Sequence, residues 1–361
     1  MEDVLASSIL LYLYTFNCLF IKLYLTIFII LLGVFNMKPK LEDVAKLANV
    51  SKTTVSRVLN NRGYLSQKTI DKVNKAMKAL DYQPNSAARQ LFQQETKIIG
   101  LLFPTVANPF FGEIIQELER KLYKQGYKVI IGNSMNDSEK EEHYLNQLLS
   151  NQVDGLIVGT HNRGIQQYKK DNLPIVAIDR FMNEDIPIIE SDNYHGGQIA
   201  TSRLIEKGAR KIVHTTGPTE LETPAHRRTQ AYIETMKKSD LEPIIYHLDF
   251  NISYTEKNKI FQRIFSEQPE IDGIFASNDV DAIMLLQIAQ SLGKRVPEDF
   301  KIIGYDGTEL IRNIYPHLTT IIQPITKITD KALDVLNQRL KHQETNKEYV
   351  LGVSLWEGTS S

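Results

Sequence analysis

The sequence has one cysteine, Cys18, and therefore no internal disulfide and no thiolate metal site. A chain without cross-links fits a reducing cytoplasm. An excess of charge is also missing. The 361 residues carry a formal net charge of −1, which as a whole suggests neither a nucleic-acid binder nor an acidic protein. No GxSxG, no Walker loop, no GxGxxG after a strand and no HExxH occurs. The carboxylates are scattered, with no nucleophile placed beside them, so the chain reads as a binder and not an enzyme, with no cofactor or metal.

What is present is uneven along the chain. With 42% hydrophobic and 24% charged residues, there is apolar material for more than one core. Residues 1–36 stand apart, being almost wholly apolar from Leu5 to Phe35 and broken by Asn17, Lys22 and Gly33. Three readings compete. A membrane span needs about 20 apolar residues, but Lys22 would sit mid-span at a cost of a few kcal/mol. A signal peptide needs a basic start, and this segment opens with Glu2 and Asp3. Translated upstream sequence is the preferred reading, because the residues are those of A/T-rich codons and a well-formed domain begins at Met37. A membrane partner is therefore not expected, and the segment is left out of the fold argument.

From Met37 to Phe92, eleven Lys and Arg face only Glu42, Asp43, Asp71 and Asp81, an excess of seven positive charges. A positive field on a small domain suits a phosphate-backbone partner. The pattern inside it is more telling. Leu41, Val44, Ala45 and Ala48 share one helical face. Asn49-Val50-Ser51 makes a short turn, and Ser51 can cap a second helix over Lys52–Leu59. Val55, Val58 and Leu59 face inward there, leaving Lys52, Thr53, Ser56 and Arg57 outward. Asn60-Asn61-Arg62-Gly63 ends it. Ser66 can cap a third helix with Ile70, Val73, Met77 and Leu80 buried. Two short helices, a tight turn and a supporting helix form a helix-turn-helix. Its second helix would enter the major groove, with short polar groups at base edges and Arg57 and the lysines at phosphates. A plain three-helix bundle with a polar face is the alternative.

These residues resemble a known family. Leu41-Glu42-Asp43-Val44-Ala45-Lys46-Leu47-Ala48-Asn49-Val50-Ser51, then Thr53-Thr54-Val55-Ser56-Arg57-Val58-Leu59-Asn60, resembles the headpiece of the LacI family without a gap. The resemblance implies that Lys52 and Thr53 read bases, with Ser51, Thr54 and Arg57 in support. Ser56, Asn60 and Tyr64 complete the expected DNA-facing set. Lys40 departs from the family, which often has Thr there, and should weaken the first helix cap.

Tyr82-Gln83-Pro84-Asn85 and Ala87-Ala88-Arg89-Gln90-Leu91 could be only a linker, because the apolar face is too short to hold a helix alone. They also resemble the family hinge, which folds on operator DNA. The resemblance implies that Leu91 wedges into the minor groove.

From Lys97 onward, short apolar runs alternate with amphipathic helices, which means parallel sheets with helices on both faces. The number of units calls for two lobes. Ligands of such sheets sit at the carboxyl ends of strands. There the sequence places Asn108-Pro109-Phe110-Phe111, Asp179-Arg180, Asp192-Asn193, Arg227-Arg228, Ser277-Asn278-Asp279 and Tyr305-Asp306-Gly307. Such groups suit sugar hydroxyls and C–H faces. Helix capping explains Asp192 as well, and is an equal candidate at Asp279.

The motifs "NPFF", "DGLIV", "SDN-x-x-GG", "ASND-x-x-A" and "GYDG" extend the resemblance across this core and imply the periplasmic-binding-protein fold. The effector contacts it implies are Phe110, Phe111, Asp179, Arg228, Asn278 and Asp306, with Arg228 foremost because Arg228-Thr229-Gln230-Ala231-Tyr232 matches the family's arginine motif. Gln230-Ala231 in place of Ala-Gly, the loop Pro218–His226, and Trp356-Glu357-Gly358-Thr359 in place of "REST" depart from the pattern. At finer grain, "NNRGYLS" and "IESDNYHGGQIA" resemble the sucrose operon repressors of Gram-positive bacteria.

The expected fold is an all-α helix-turn-helix headpiece joined to a two-lobed α/β core with parallel sheets. The expected domains are the apolar extension 1–36, the DNA-binding domain 37–82, the hinge 83–94 and the effector-binding and dimerisation core 95–361. The resemblance implies a cytoplasmic homodimer on pseudo-palindromic double-stranded operator DNA, controlled by a sugar or sugar phosphate. No leucine heptad tail follows Leu340, so dimers and not tetramers are expected. The alternatives are a catabolite-control or ribose-type regulator, and an anchored or exported sugar-binding protein, for which the basic headpiece would be useless.

Overall fold

The computed structural model describes residues 39–60, 62–83, 95–135, 137–150, 153–160, 162, 165–169, 174–219, 223–249 and 252–361. The apolar extension and Leu91 lie outside the described residues. The chain divides between Glu95 and Thr96 into two compact units. Among the described residues, no helix is long and apolar enough to cross a membrane.

Among the described residues, the first unit holds three helices, α1 (Leu41–Ala48), α2 (Lys52–Leu59) and α3 (Gln67–Ala79). Val44, Ala45, Ala48, Val55, Val73 and Ala76 form its core. Small residues dominate, so the helices approach closely around a core too slight to tolerate a cavity. Lys40 makes no side-chain cap at α1, as its departure from the family pattern implied. Asp43 compensates in part, its carboxylate accepting the Lys40 backbone N–H at 2.8 Å.

In the second unit, β1 (Ile98–Phe103), α4 (Pro109–Lys124), β2 (Lys128–Asn133), α5 (Ser138–Ser150), β3 (Gly155–Val158), β4 (Ile175–Ile178) and β5 (Ile188–Ser191) build one lobe. The chain then crosses to α6 (Asn193–Glu206), β6 (Ile212–Thr216), α7 (His226–Lys238), β7 (Ile244–His247), α8 (Tyr254–Glu267), β8 (Gly273–Phe275), α9 (Asp279–Ser291), β9 (Lys301–Asp306), α10 (Glu309–Ile314) and β10 (Thr319–Ile322). It returns through α11 (Ile325–Leu340) and β11 (Glu348–Leu351), and ends in β12 (Ser354–Trp356).

The two sheets run β11-β5-β4-β3-β1-β2 and β12-β10-β9-β8-β6-β7. Strands such as Gly155–Val158 and Ile175–Ile178 are buried throughout, because helices cover both faces of a parallel sheet. One strand departs from the parallel expectation: β12 pairs antiparallel to β10, setting Trp356 opposite Thr320. That places the unusual tail. Gly358 packs so closely on His317 that an added Cβ would lie 2.3 Å from its carbonyl oxygen. The Trp356 indole N–H donates to the Pro316 carbonyl at 3.4 Å.

Three segments join the lobes: residues 191–193, 322–325 and 351–354. They are bonded to one another. Ser191 Oγ donates to Gln323 Oε1 at 2.7 Å, and the Asp192 N–H donates to the Leu351 carbonyl at 2.8 Å. Three parallel crossings of this kind allow the lobes to turn against each other without unfolding either.

Candidate nucleic-acid interface and interlobe cleft

In the headpiece, the turn between α1 and α2 needs a left-handed residue, and Asn49 supplies it with φ of 53°. Ser51 opens α2 as expected, its hydroxyl oxygen accepting the Thr54 N–H at 3.0 Å and lying 2.8 Å from the Thr54 hydroxyl. Both side chains therefore start the helix as well as facing out. Val55 pins the inner face, while Lys52, Thr53 and Arg57 are exposed.

Two of the expected DNA-facing groups are already engaged. The Lys52 ammonium is ion-paired to Glu42 on α1, and that bond holds the Glu42 carboxyl below its ordinary range. The Asn60 amide turns back on its own helix, donating to the Ser56 carbonyl at 2.9 Å and reaching the Ser56 hydroxyl at 3.3 Å. Asn60 and Ser56 thus close α2, the short polar side chain saturating the helix end. Tyr64 is fully exposed, an aromatic ring with all its surface in water.

In the second unit, a cleft of about 1120 Å³ separates the lobes and is lined by Phe110, Phe111, Asp179, Arg228, Asn278 and Asp306 among others. All six expected effector residues thus meet in one space. They are not equivalent. Phe110 belongs to the first lobe's apolar core, so Phe111, whose ring centroid is 5.4 Å away, offers the freer aromatic face. Asn278 caps α9, accepting the Asp281 N–H at 2.9 Å and donating to its carboxylate at 2.9 Å.

Asp279 is not a helix cap, contrary to one of its two expected roles. Its carboxylate accepts the Gly307 N–H at 2.8 Å and bonds the Thr320 hydroxyl, tying α9 to the end of β9. Burial pushes this carboxyl up to about 7. Asp306 beside it is raised well above the ordinary carboxyl range, first by burial and then by the Asp279 charge. The hydrogen bonds from Gly307 and Thr320 oppose that rise at Asp279, and Arg228 and the Gln323 amide oppose it at Asp306. Asp306 and Asp179 both lie at positive φ, 106° and 53°, a strained backbone held at the strand ends where the lobes face each other.

Arg228 is the centre of the cleft. Its Nε donates to Asn193 Oδ1 at 2.6 Å, and its Nη1 donates to the Ser277 carbonyl at 3.3 Å. The Asn193 amide in turn reaches Asp179 Oδ1 at 3.3 Å, connecting the arginine of one lobe to the acid of the other. Behind it, His214 is fully buried, stacked on Phe275 at 4.5 Å, and bonded through Nδ1 to the Phe275 carbonyl at 2.9 Å. Burial drops its pKa to about 3, so it is a neutral support for the cleft wall.

A second, smaller hollow of about 530 Å³ touches Phe181, Glu190, Arg227 and Glu348. Arg227 there donates to Glu190 at 3.2 Å and to Glu348 at 3.4 Å, again joining the two lobes.

The profile of bacterial regulatory proteins of the lacI family matches residues 40–85, and that of the periplasmic binding protein-like domain matches residues 201–361. The sucrose operon repressor of Streptococcus mutans is 45% identical over 325 residues, covering 90% of this chain and 100% of its own. That of Pediococcus pentosaceus is 44% identical over 324 residues, covering 89% of this chain and 99% of its own. The chain belongs to the LacI family. Among solved structures, the Lac repressor dimer bound to operator and the anti-inducer ONPF superposes with a TM-score of 0.79 at 25% identity, covering 90% of this chain and 99% of that one.

Other residues of this LacI family member hold the cleft groups in place. The sequence marks Asn193 and Tyr305 only as strand-end residues. Gln323, whose amide donates to Asp306 at 2.8 Å, carries no such mark. The rule that found the others, the first residue past a strand, applies to Gln323 as well. The run Thr319-Thr320-Ile321-Ile322 is half polar and does not stand out as a strand. Ala231 is tolerated because Gly197 faces it: an added Cβ on Gly197 would lie 3.1 Å from the Ala231 methyl.

Proposed function

We propose that this LacI family member represses a sucrose utilisation operon and releases its operator in response to a sugar held between the lobes. The observation that carries the reading is the union, in one chain, of a helix-turn-helix with an open polar face and a cleft centred on Arg228. The likeness to the sucrose operon repressors of S. mutans and P. pentosaceus along nearly their full length supports the choice of operon.

In this reading Lys52 and Thr53 contact bases, with Lys52 leaving Glu42 as the helix enters the groove. Ser51, Thr54 and Arg57 hold the backbone, and Ser56, Asn60 and Tyr64 flank them. Residues 83–94 act as the hinge, with Leu91 as the minor-groove wedge. Two copies pair to present two such helices to a pseudo-palindrome. Ile130 and Ile131 on the edge strand β2, with Leu310 and Ile314 on α10, are exposed apolar groups suited to meeting a second copy.

The sugar contacts Phe111, Asp179, Arg228 and Asp306 directly, with Phe110 and Asn278 shaping the wall. It acts only if it binds one lobe arrangement better than the other. Arg228 and Asn193 from one lobe and Asp179 from the other sense that arrangement through their shared bonds.

The test is operator release. The chain should bind a palindrome upstream of a sucrose utilisation operon, and sucrose or fructose should change that affinity where ribose does not. A response to ribose alone would move the assignment to the ribose-type branch. An unchanged response in Arg228→Ala would overturn the cleft assignment.

A further inference from the structure

We infer that the interlobe cleft accepts an uncharged sugar and rejects its phosphorylated form. This rests on the sugar reading above and adds the charge state of the ligand. A phosphoryl group needs unpaired cationic side chains or open N–H groups at a helix start. The cleft wall supplies little of either, and its carboxylates outnumber its cations.

Five helices begin at the cleft, and each start already carries a capping bond or closes on itself. Asn108 Oδ1 accepts the Phe110 N–H at 2.8 Å on α4. Asp137 Oδ1 accepts the Lys140 N–H at 3.1 Å on α5. Ser253 Oγ takes the Glu256 N–H at 3.2 Å on α8, and the Glu256 carboxylate returns to the Ser253 N–H at 3.0 Å. Asn278 caps α9 as described. The first turn of α7 closes on itself, with the His226, Arg227 and Arg228 N–H groups each donating to a carbonyl three residues back at 3.0 Å. Three of these starts carry a carboxylate, from Asp137, Glu256 and Asp281, which repels an incoming anion.

Lys and Arg side chains tell the same story. Among the described residues, Lys140, Arg228 and Lys257 line the cleft. Lys257 is ion-paired to the buried Asp281 at 2.8 Å. Arg228 is held by Asn193 and Ser277. Those two partners are neutral, so Arg228, like the Lys140 ammonium 5.9 Å from the Tyr144 ring centroid, has no anionic partner among these bonds. Against the three cations stand Asp137, Asp179, Asp249, Asp281 and Asp306. Five carboxylates against three cations leave the wall acidic, and it stays so if any one of the five is protonated. A phosphate dianion would enter a negative, partly desolvated wall, where repulsion is stronger than in water. A polyol meets the opposite situation: carboxylates accept from its hydroxyls, and the Lys140 and Arg228 N–H groups can donate to them.

Calorimetry on the full chain tests this with sucrose against sucrose 6-phosphate, and fructose against fructose 6-phosphate. At least one neutral sugar should bind, with its phosphate at least about 100-fold weaker. Asp281→Asn, which frees Lys257, should narrow that gap at least about tenfold. Asp137→Asn, at the exposed rim and safe for folding, should narrow it in the same direction. A phosphate that binds as tightly as its parent sugar overturns the inference while leaving the sugar reading intact. A gap that neither variant moves overturns the electrostatic cause. If no sugar binds in either form while the operator is still bound, the sugar reading falls and the inference with it.

Discussion

Arg228 lies face-on to Tyr305, its guanidinium carbon 3.5 Å from the ring centroid. The planar cation is held by stacking on one side and by Asn193 and Ser277 at its edge, so its orientation is set before any ligand arrives. Arg228→Lys keeps the charge but loses both the stacking surface and the fork. It should weaken sugar binding at least about tenfold, or roughly 1.4 kcal/mol, with little change in operator affinity without sugar. Titration calorimetry and operator-binding assays on the same preparation check the two halves separately.

Gly197 on α6 lets α7 approach closely enough to aim that arginine. An added Cβ would lie 2.6 Å from the Arg228 carbonyl oxygen and 2.8 Å from its Cα. Gly197→Ala must therefore displace backbone, an overpacking cost of about 1–3 kcal/mol. The displaced segment carries Arg228, so sugar affinity should fall together with the thermal midpoint of the core. A variant with normal stability and normal sugar binding would show that α6 and α7 can separate freely.

Much of this architecture is legible in the sequence because it rests on local rules. Ser51 and Ser66 cap their helices, accepting the Thr54 and Thr69 N–H groups at 3.0 and 3.3 Å, as their places before apolar-periodic runs imply. Fully apolar runs such as Ile175–Ile178 imply a buried parallel strand. What is not legible is how each polar group divides itself between neighbours. Asn278 and Asp279 are adjacent and both suited to capping, yet Asn278 caps while Asp279 reaches across to Gly307. Lys52 reads as a free cation until α1 folds against α2 and brings Glu42 to it. Those outcomes depend on contacts 10 and 28 residues away, which no local pattern encodes.

Glu190 gives the core a pH dependence whose sign follows from its burial. Its carboxyl is pushed up to about 8, by burial first, against the opposing pull of Arg227 and with help from the charges of Asp179 and Glu348. Below its ordinary pKa of 4.5 the group is protonated whether folded or not. As pH rises toward 8, the unfolded chain releases that proton and the folded chain keeps it, so the contribution to stability is progressively lost. Glu190→Gln should flatten the fall in thermal midpoint between pH 5 and 8 (about the window of that titration) and leave the variant more stable than its parent at the upper end. A melting profile parallel to the parent's across that range would show that Glu190 is charged in the folded protein.

Thr53 and Arg57 sit on the same exposed face of α2 but should report different physics on DNA. Thr53 has a short side chain near the helix start, suited to a base edge. Arg57 lies a turn further on, with a reach suited to phosphate. Thr53→Ala should cost about 1–3 kcal/mol on the preferred operator and almost nothing on unrelated duplex, relaxing sequence preference. Arg57→Ala should weaken binding to both by a similar factor and reduce the slope of log affinity against log salt by about 1. Filter binding on matched operator and scrambled duplexes at several salt concentrations separates the two. If Arg57→Ala changed the ranking of operators while leaving the salt slope intact, the roles of the two side chains would be exchanged: the arginine would be reading bases and the threonine holding the backbone.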